Sequence, residues 1–313
     1  MTIALITGAR GFVGRHLARS LQNKGIRVCG LGHGIWTELE REEWGLDYWL
    51  NGDVTKRNLE IIQEAVGKPD VAFHLAGGSS VGPSMQAPEE DFRRSVLSAS
   101  ELLEWTRLSA PDASLVLASS AAVYGSGHTD AISESALLSP YSPYGAHKRM
   151  AEELFESYSN NFGLNVSVVR LFSVYGTELR KQLLWDVCCR LTNDATHLEL
   201  GGSGHEMRDW FHISDAANLL QLVAAQEKDG VLIVNGGTGN AVTVRQVAEQ
   251  LCAAWGEGTQ LSFSGKGRAG DPQYLVADTE RAAELGFVSN TKWEEGLKDY
   301  VAWFKRVNMR KKG

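Results

Sequence analysis

The chain opens with a short apolar run that leads directly into a glycine-rich turn and then into a helix-forming stretch. Residues 2–6 are apolar enough for a buried strand, and residues 12–24 place Val13, Leu17 and Leu21 on one helical face. The turn between them is Thr7-Gly8-Ala9-Arg10-Gly11-Phe12-Val13-Gly14. A strand, a glycine turn and a helix in this order begin a parallel α/β sheet, so this segment restricts the fold more than any other.

Each glycine of the turn has its own structural reason. Gly8 allows the tight turn, Gly11 lets the backbone approach a ligand at the helix N-terminus, and Gly14 lets the helix lie close to the sheet. Unpaired backbone N–H groups at a helix N-terminus bind phosphate groups well. The turn therefore predicts a dinucleotide site that includes Phe12 and Val13. An ordinary glycine-rich turn without a ligand is the alternative.

Strand and helix patterns continue to alternate along the first part of the chain. Apolar, β-branched runs predict strands over 26–31, 47–50, 71–76, 114–119 and 165–172. Amphipathic stretches predict helices over 55–66, 89–109 and 142–162. This alternation is typical of a doubly wound parallel sheet with helices on both faces. The expected fold class is therefore α/β, a Rossmann-type sheet with a smaller mixed α/β substrate lobe.

The second part of the chain has shorter and more mixed segments. Residues 231–234 are apolar enough for a further buried strand, which would return to the first sheet. We expect a dinucleotide-binding domain over 1–172, joined by 208–235, and a substrate lobe over 173–207 and 236–313. Ligands of open α/β sheets bind at the carboxyl ends of the strands, so the site is expected between the two lobes.

Composition and charge exclude several classes of function. With 313 residues, of which 43% are hydrophobic and 22% charged, the chain has enough apolar material for a large folded core. The 31 basic and 38 acidic residues give a net charge of −7, which argues against a nucleic-acid partner because binding phosphates needs a basic face. The sequence has neither a signal-peptide pattern nor a long apolar run, so a cytoplasmic protein without a membrane partner is expected. The four cysteines form no CxxC pair, which predicts neither a metal site nor a disulfide framework.

Further motifs follow the glycine turn in a fixed order. They are Asp53-Val54, His74-Leu75-Ala76-Gly77, Ser119-Ser120-Ala121-Ala122-Val123-Tyr124-Gly125, Tyr144-Gly145-Ala146-His147-Lys148, Arg208-Asp209 and Arg268-Ala269-Gly270-Asp271. With these motifs, the chain resembles the extended short-chain dehydrogenase/reductase family, in the branch of nucleotide-sugar epimerases, dehydratases and reductases. The resemblance runs from Thr7 to about Pro272, which makes it far more specific than any single motif.

The resemblance implies a nicotinamide dinucleotide cofactor. Asp53 and Val54 match the pair that lies at the adenine ring. Leu75, Ala76 and Gly77 match the strand end that runs along the cofactor.

The type of nicotinamide cofactor depends on the end of the second strand. A carboxylate there would hold the ribose 2′-hydroxyl and repel a 2′-phosphate, but none occurs before Glu38. Arg10 is placed to meet a 2′-phosphate through its guanidinium, with His33 as a second contact. NADP(H) is therefore favoured, with NAD(H) as the other possibility, and Arg10 as a solvated turn residue is the alternative.

The catalytic group is predicted from Tyr144 and Lys148, which lie four residues apart near the start of a helix and so share one face. A phenol with a pKa of ~10 is a poor base at neutral pH, but a nearby ammonium and an oxidised nicotinamide ring favour the phenolate. The resemblance implies that Tyr144 exchanges a proton with the substrate and that Ser120 hydrogen-bonds the same oxygen. It also implies that Lys148 anchors the cofactor ribose.

The resemblance also bears on the substrate, a nucleoside-diphosphate sugar. Arg208 and Arg268 match positions that bind the diphosphate, and Ser173 stands where the family often has a substrate-binding asparagine. Ala121 and Ala122 replace the acidic pair of the dehydratases and the cysteine of other relatives, which disfavours dehydration and carbanion chemistry. Hydride transfer at C4 of the sugar remains.

The sequence therefore predicts an NADP(H)-linked oxidoreductase, with a 4-keto-6-deoxysugar nucleotide reductase slightly ahead of a 4-epimerase that retains NAD(P)+. A non-enzymatic NADP(H)-binding regulator is a weaker alternative, because it gives no reason for Tyr144, Lys148 and Ser120 to occur together. Polysaccharide or deoxysugar biosynthesis is the usual context of such enzymes. The long helices over 89–109 and 142–162 resemble those that form a dimer interface in the family, so a homodimer is expected.

Overall fold

The computed structural model describes residues 2–226, 230–256, 258–266 and 272–309. Its strands are β1 (Ile3–Thr7), β2 (Arg27–Gly32), β3 (Tyr48–Asn51), β4 (Val71–His74), β5 (Ser114–Ser120), β6 (Val166–Leu171), β7 (Ser173–Tyr175), β8 (His197–Leu200), β9 (Met207–His212), β10 (Leu232–Gly236), β11 (Ala241–Thr243), β12 (Gln260–Phe263) and β13 (Tyr274–Leu275). Its α-helices are α1 (Phe12–Gln22), α2 (Glu38–Glu43), α3 (Lys56–Val66), α4 (Val81–Gln86), α5 (Pro88–Phe92), α6 (Ser98–Ser109), α7 (Pro143–Phe162), α8 (Gln182–Asn193), α9 (Ile213–Ala224), α10 (Val244–Trp255), α11 (Glu280–Glu284) and α12 (Trp293–Met309).

Seven parallel strands form the central sheet, in the order β10-β6-β5-β4-β1-β2-β3. Read from β3 to β6, this is the strand order of the doubly wound nucleotide-binding folds. The predicted α/β fold of Rossmann type is therefore confirmed. β10 pairs with β6 at the edge of the sheet, so the chain does return to the first sheet after leaving it.

The two faces of the sheet bury different sets of side chains because successive residues of a strand point in opposite directions. In β1, Ala4 and Ile6 pack with the buried residues of α1 and α9, whereas Leu5 packs with those of α3, α6 and α7. Helices thus cover both faces, which explains why the strands are apolar along nearly their whole length.

The helix starts follow the capping residues of the sequence. The Thr55 side chain accepts a hydrogen bond from the Asn58 backbone N–H at the start of α3, as the predicted threonine cap requires. Ser142 caps α7 in the same way through the Gly145 N–H. These two caps place the first residues of each helix at the carboxyl edge of the sheet.

The predicted continuous helix over 89–109 is wrong in its middle, because a π-helical turn at Arg93–Leu97 separates α5 from α6. Within this turn the Ser95 hydroxyl accepts a hydrogen bond of 2.9 Å from the Gly78 N–H, in the loop after β4. Ser98, just after the turn, donates to the Arg94 carbonyl. π turns in helices are frequent at functional sites, and this one faces the cavity described below.

The remaining strands form two small sheets, with β9 between β11 and β13 and also paired to β7, and with β8 paired to β12. Helices α8, α10 and α12 enclose a separate apolar core around Val187, Val247 and Tyr300. In the described part of the chain, no helix has the length and apolar character needed to cross a membrane.

Candidate active site

A cavity of about 1350 Å³ runs from the carboxyl ends of the central strands into the smaller sheets. Among the residues lining it are sixteen of the sequence-predicted site residues: Gly8, Gly11, Phe12, Val13, Gly14, His33, Asp53, Val54, Leu75, Ala76, Gly77, Ser120, Tyr144, Lys148, Ser173 and Arg208. Arg10 does not line the cavity, and Arg268 lies outside the described residues.

The glycine turn forms a cradle with no room for side chains. Gly8 has a φ of +72°, and a Cβ there would lie 2.8 Å from the Ala76 backbone nitrogen. A Cβ on Gly14 would overlap the Gly8 carbonyl oxygen and lie 2.7 Å from the Ala9 Cα. Gly11 is the N-cap residue of α1 and provides no side-chain cap, and the first turn of the helix contains no acidic residue. The open helix N-terminus and the close backbone fit a dinucleotide pyrophosphate.

The ends of β1 and β4 are fastened together behind the cradle. The Thr7 hydroxyl lies 2.9 Å from His74 Nδ1 and accepts a hydrogen bond from the Ala76 N–H. Complete burial lowers the pKa of His74 to about 3, so the ring is neutral. This bond fixes the direction in which Leu75, Ala76 and Gly77 leave the sheet.

The carboxylate of Asp53, which the sequence comparison predicts to lie at the adenine ring, faces one end of the cavity. His33 Nε2 lies 2.9 Å from Asp53 Oδ1, and both side chains are exposed. The Arg10 guanidinium instead packs against Gly34 and lies 5.9 Å from the ring centroid of Trp36. Asp53 thus presents a negative charge at this edge, whereas the Arg10 side chain is held beside the cavity rather than in its wall.

The predicted catalytic side chains meet in the middle of the cavity. Tyr144 lies in the first turn of α7, where its backbone N–H donates to Ser84 Oγ at 3.1 Å, and its phenol is hydrogen-bonded with Ser120. Ser120 ends β5 and also caps the following 3-10 turn through the Ala122 N–H. Lys148 Nζ lies 6.0 Å from the Tyr144 ring centroid and donates to the Ala118 carbonyl at 2.9 Å. Strand β5 and helix α7 together position all three groups.

Burial determines the charge of these groups in the protein without a ligand. Burial raises the pKa of Tyr144, and the hydrogen bond with Ser120 only partly opposes this. Burial also lowers the pKa of Lys148 to about 8, although the negative charges of Asp91 and Glu152 act to raise it. The phenol is therefore neutral at pH 7 until further positive charge enters the cavity.

Two buried polar pairs beneath the site were not predicted from the sequence. His147 Nδ1 lies 2.6 Å from Asp91 Oδ2, which joins α7 to α5 between Tyr144 and Lys148. Glu152 accepts from Ser119 and forms an ion pair with Arg170 at 2.8 Å. Because each pair joins distant parts of the chain, local spacing gave no signal for it.

The part of the cavity where the substrate is predicted to bind, called the substrate half below, lies between the central and the smaller sheets. Ser173 begins β7, and Arg208 lies on β9, where its Nη1 donates to the Pro272 carbonyl at 2.7 Å. Ala121 and Ala122 face the cavity beside the catalytic group and bring neither an acid nor a thiol. Among the described residues, no cluster of three or more His, Cys, Asp or Glu side chains is arranged to hold a metal ion.

Comparison with known proteins agrees with this geometry. A UDP-glucose 4-epimerase of Azospirillum brasilense is 28% identical, over 95% of this chain and 93% of its own length. The solved structures of MoeE5, in complex with NAD and either UDP-glucose or UDP-glucuronic acid, are 31% and 30% identical, with TM-scores of 0.85 and 0.84 over 97% of this chain and 99% of theirs. The structure of the UDP-glucose 4-epimerase from Thermotoga maritima with UDP-glucose is 25% identical, with a TM-score of 0.88 over 98% of this chain and all of that one.

Residues 4–237, three quarters of the chain, match the sequence model of one family of enzymes. The match spans the glycine cradle, the catalytic group of β5 and α7, and the return of β10 to the central sheet. The resemblance to nucleotide-sugar enzymes of the extended short-chain dehydrogenase/reductase type is thereby confirmed. The chain belongs to the NAD dependent epimerase/dehydratase family.

Proposed function

We propose that this enzyme is a nucleotide-sugar 4-epimerase that acts on a UDP-sugar and retains NAD+. The observation that supports this most is the convergence of Tyr144, Ser120 and Lys148 on one cavity with the glycine cradle, while Ala121 and Ala122 leave no further acid or thiol beside them. Proton exchange at one sugar hydroxyl is the chemistry that such a group performs. This proposal places the epimerase ahead of the reductase that the sequence favoured.

The protein side chains act on the oxygen at C4 of the sugar. Tyr144 takes the hydroxyl proton and returns it, Ser120 hydrogen-bonds the same oxygen, and the charge of Lys148 favours the phenolate. Held by the glycine cradle, NAD+ would supply the hydride acceptor and, through its positive ring, the additional charge that the buried phenol needs. If the oxidised sugar rotates in the cavity before Tyr144 returns the proton, the opposite configuration at C4 would result.

The nucleotide diphosphate is proposed to lie beside Arg208. Guanidinium groups suit the oxygens of a diphosphate, and Arg208 faces the cavity from β9. Relatives with similar overall structure bind UDP-sugars, which supports uridine as the base. Binding of the diphosphate by Arg268 stays a prediction from the sequence.

Proposing NAD+ rather than NADP+ rests on the position of Arg10 and on similar structures. Arg10, the residue predicted to meet a 2′-phosphate, lies against Trp36 outside the cavity lining, and the similar MoeE5 structures contain NAD. The second candidate is the NADP(H)-linked 4-keto-6-deoxysugar reductase. Its supporting observation is the absence of a carboxylate at the end of β2, where Gly32 and His33 stand.

Mass spectrometry of the small molecules released on denaturation separates the two candidates. Stoichiometric NAD+ in freshly purified protein, together with conversion of UDP-glucose or UDP-glucuronic acid to its C4 epimer, is the expected result. Tyr144→Phe should keep the bound NAD+ and lower the rate by about 10²- to 10⁴-fold, because it removes the proton-transfer group. Protein free of NAD+ that oxidises NADPH with a 4-keto nucleotide sugar would establish the reductase instead.

A further inference from the structure

Lys181 is held in the substrate half of the cavity by an unusual stretch of backbone. Glu178 and Gln182, on either side of it, are the non-glycine residues with positive φ in the described chain, at 70° and 65°. Such conformations cost about 1 kcal/mol or more each and persist where surrounding contacts impose them. Here the Glu178 carboxylate accepts hydrogen bonds from Arg15 and from Trp303 Nε1, which fixes the segment on α1 and α12.

The Lys181 ammonium has little to compensate its charge. Its Nζ donates to the Ser79 carbonyl over a long distance of 3.4 Å, and no carboxylate in the described ranges forms an ion pair with it. Burial accordingly lowers the pKa of this lysine. The side chain is only partly buried and its remaining surface faces the cavity, where an anion can pair with the ammonium.

The position of Lys181 in the cavity determines which part of the substrate it can contact. Its contact residue Ser79 follows Gly77 by two residues, which span at most ~7 Å. A Cβ placed on Gly77 would lie 3.3 Å from Lys148 Nζ, so the Ser79 loop borders the catalytic group. Arg208, by contrast, is fastened to Pro272 on the side of the smaller sheets.

We infer that Lys181 selects the substrate by binding a carboxylate carried by the reacting sugar, so that the preferred substrate is a UDP-hexuronic acid rather than a neutral UDP-hexose. The inference rests on the proposed nucleotide-sugar site. A carboxylate at C6 gives the ammonium a charge-assisted partner, whereas a neutral hydroxymethyl group leaves it without one.

Calorimetric binding of UDP-glucuronic acid, UDP-glucose and UDP to the purified enzyme tests the inference. Wild-type protein should bind UDP-glucuronic acid about 10- to 100-fold more tightly than UDP-glucose, as expected for one hydrogen bond between charged groups. Lys181→Met, close in size but uncharged, should lose that factor for UDP-glucuronic acid and leave the affinities for UDP-glucose and UDP within about 3-fold. Lys181→Arg, which keeps the charge, should restore part of the preference.

Three results would overturn the inference. Equal loss of affinity for UDP in Lys181→Met would assign the lysine to the diphosphate. No preference for UDP-glucuronic acid in the wild-type protein, or no change in Lys181→Met at an unaltered melting temperature, would show that it binds no sugar carboxylate. These binding experiments do not depend on turnover. An enzyme that inverts no C4 centre would contradict the proposed function, but its preference for UDP-glucuronic acid over UDP-glucose could still be measured.

Discussion

At the scale of single residues, burial of the predicted catalytic lysine lowers the stability of the protein. Lys148 is 5% exposed, and burial lowers its pKa to about 8 from the usual ~10.4. Below pH 8 it is charged in both the folded and the unfolded chain, so the full desolvation penalty of about 3 kcal/mol applies. Between pH 8 and 10.4 the unfolded chain binds more protons, so this penalty disappears as the pH rises.

Lys148→Met should therefore give an inactive but more stable protein at neutral pH. Removing the penalty stabilises by about 3 kcal/mol, and losing the bond to the Ala118 carbonyl costs about 1 kcal/mol, so the free energy of unfolding should rise by about 2 kcal/mol at pH 7. Urea unfolding at pH 7 and pH 10 measures this. The gain should largely vanish at pH 10, and a gain that is the same at both pH values would contradict the assigned cause.

At the scale of elements, the packing of α1 on β1 should control cofactor retention. A Cβ on Gly14 meets backbone atoms of Gly8 and Ala9, so Gly14→Ala must push the helix away from the turn. We expect Gly14→Ala to lower the free energy of unfolding by about 1–3 kcal/mol and to lose most of the bound dinucleotide.

Gly82→Ala is the matched control for this substitution. Gly82 is exposed in α4, and nothing except its chain neighbours lies near its added Cβ, so alanine there should change the free energy of unfolding by less than about 1 kcal/mol in either direction. Thermal unfolding and the ratio of absorbance at 260 and 280 nm report both properties. Equal retention of nucleotide by the two variants would refute the role of the close contact.

Some of the helices and strands could be predicted from the sequence, and one feature could not. The strands and caps of the central sheet were predictable because apolar runs and Thr or Ser at helix starts are local signals. The π turn at Arg93–Leu97 was not, since the helical pattern is continuous there and the contact that accompanies the turn, Ser95 with Gly78, lies outside the helix.

The same limit applies to the candidate site. Tyr144 and Lys148 are four apart on one helix, and the glycine turn is contiguous, so local spacing predicted both. His147 meets Asp91 across 56 positions, and Lys181 meets Ser79 across 102, so only the fold brings them together.

At the scale of the whole molecule, the outer face of α6 and α7 is proposed to bind a second copy of the chain. The inner residues of these helices, among them Leu102, Leu103 and Phe155, pack on the sheet. Their outer side still carries exposed Leu108 and Met150, at 51% and 42% of their surface. Exposed apolar side chains on two neighbouring helices are compatible with an interaction surface.

Met150→Asp should therefore weaken a homodimer by about 100-fold or more, because it places an unpaired carboxylate in a dry interface. Light scattering over a concentration series should give twice 34.2 kDa for the wild-type protein and a shift toward the single-chain mass for the variant. Leu39→Asp, at a more exposed leucine on α2, provides the control and should leave the mass unchanged. A wild-type protein with the single-chain mass at micromolar concentration would refute the dimer, and equal effects of both substitutions would place the interface elsewhere.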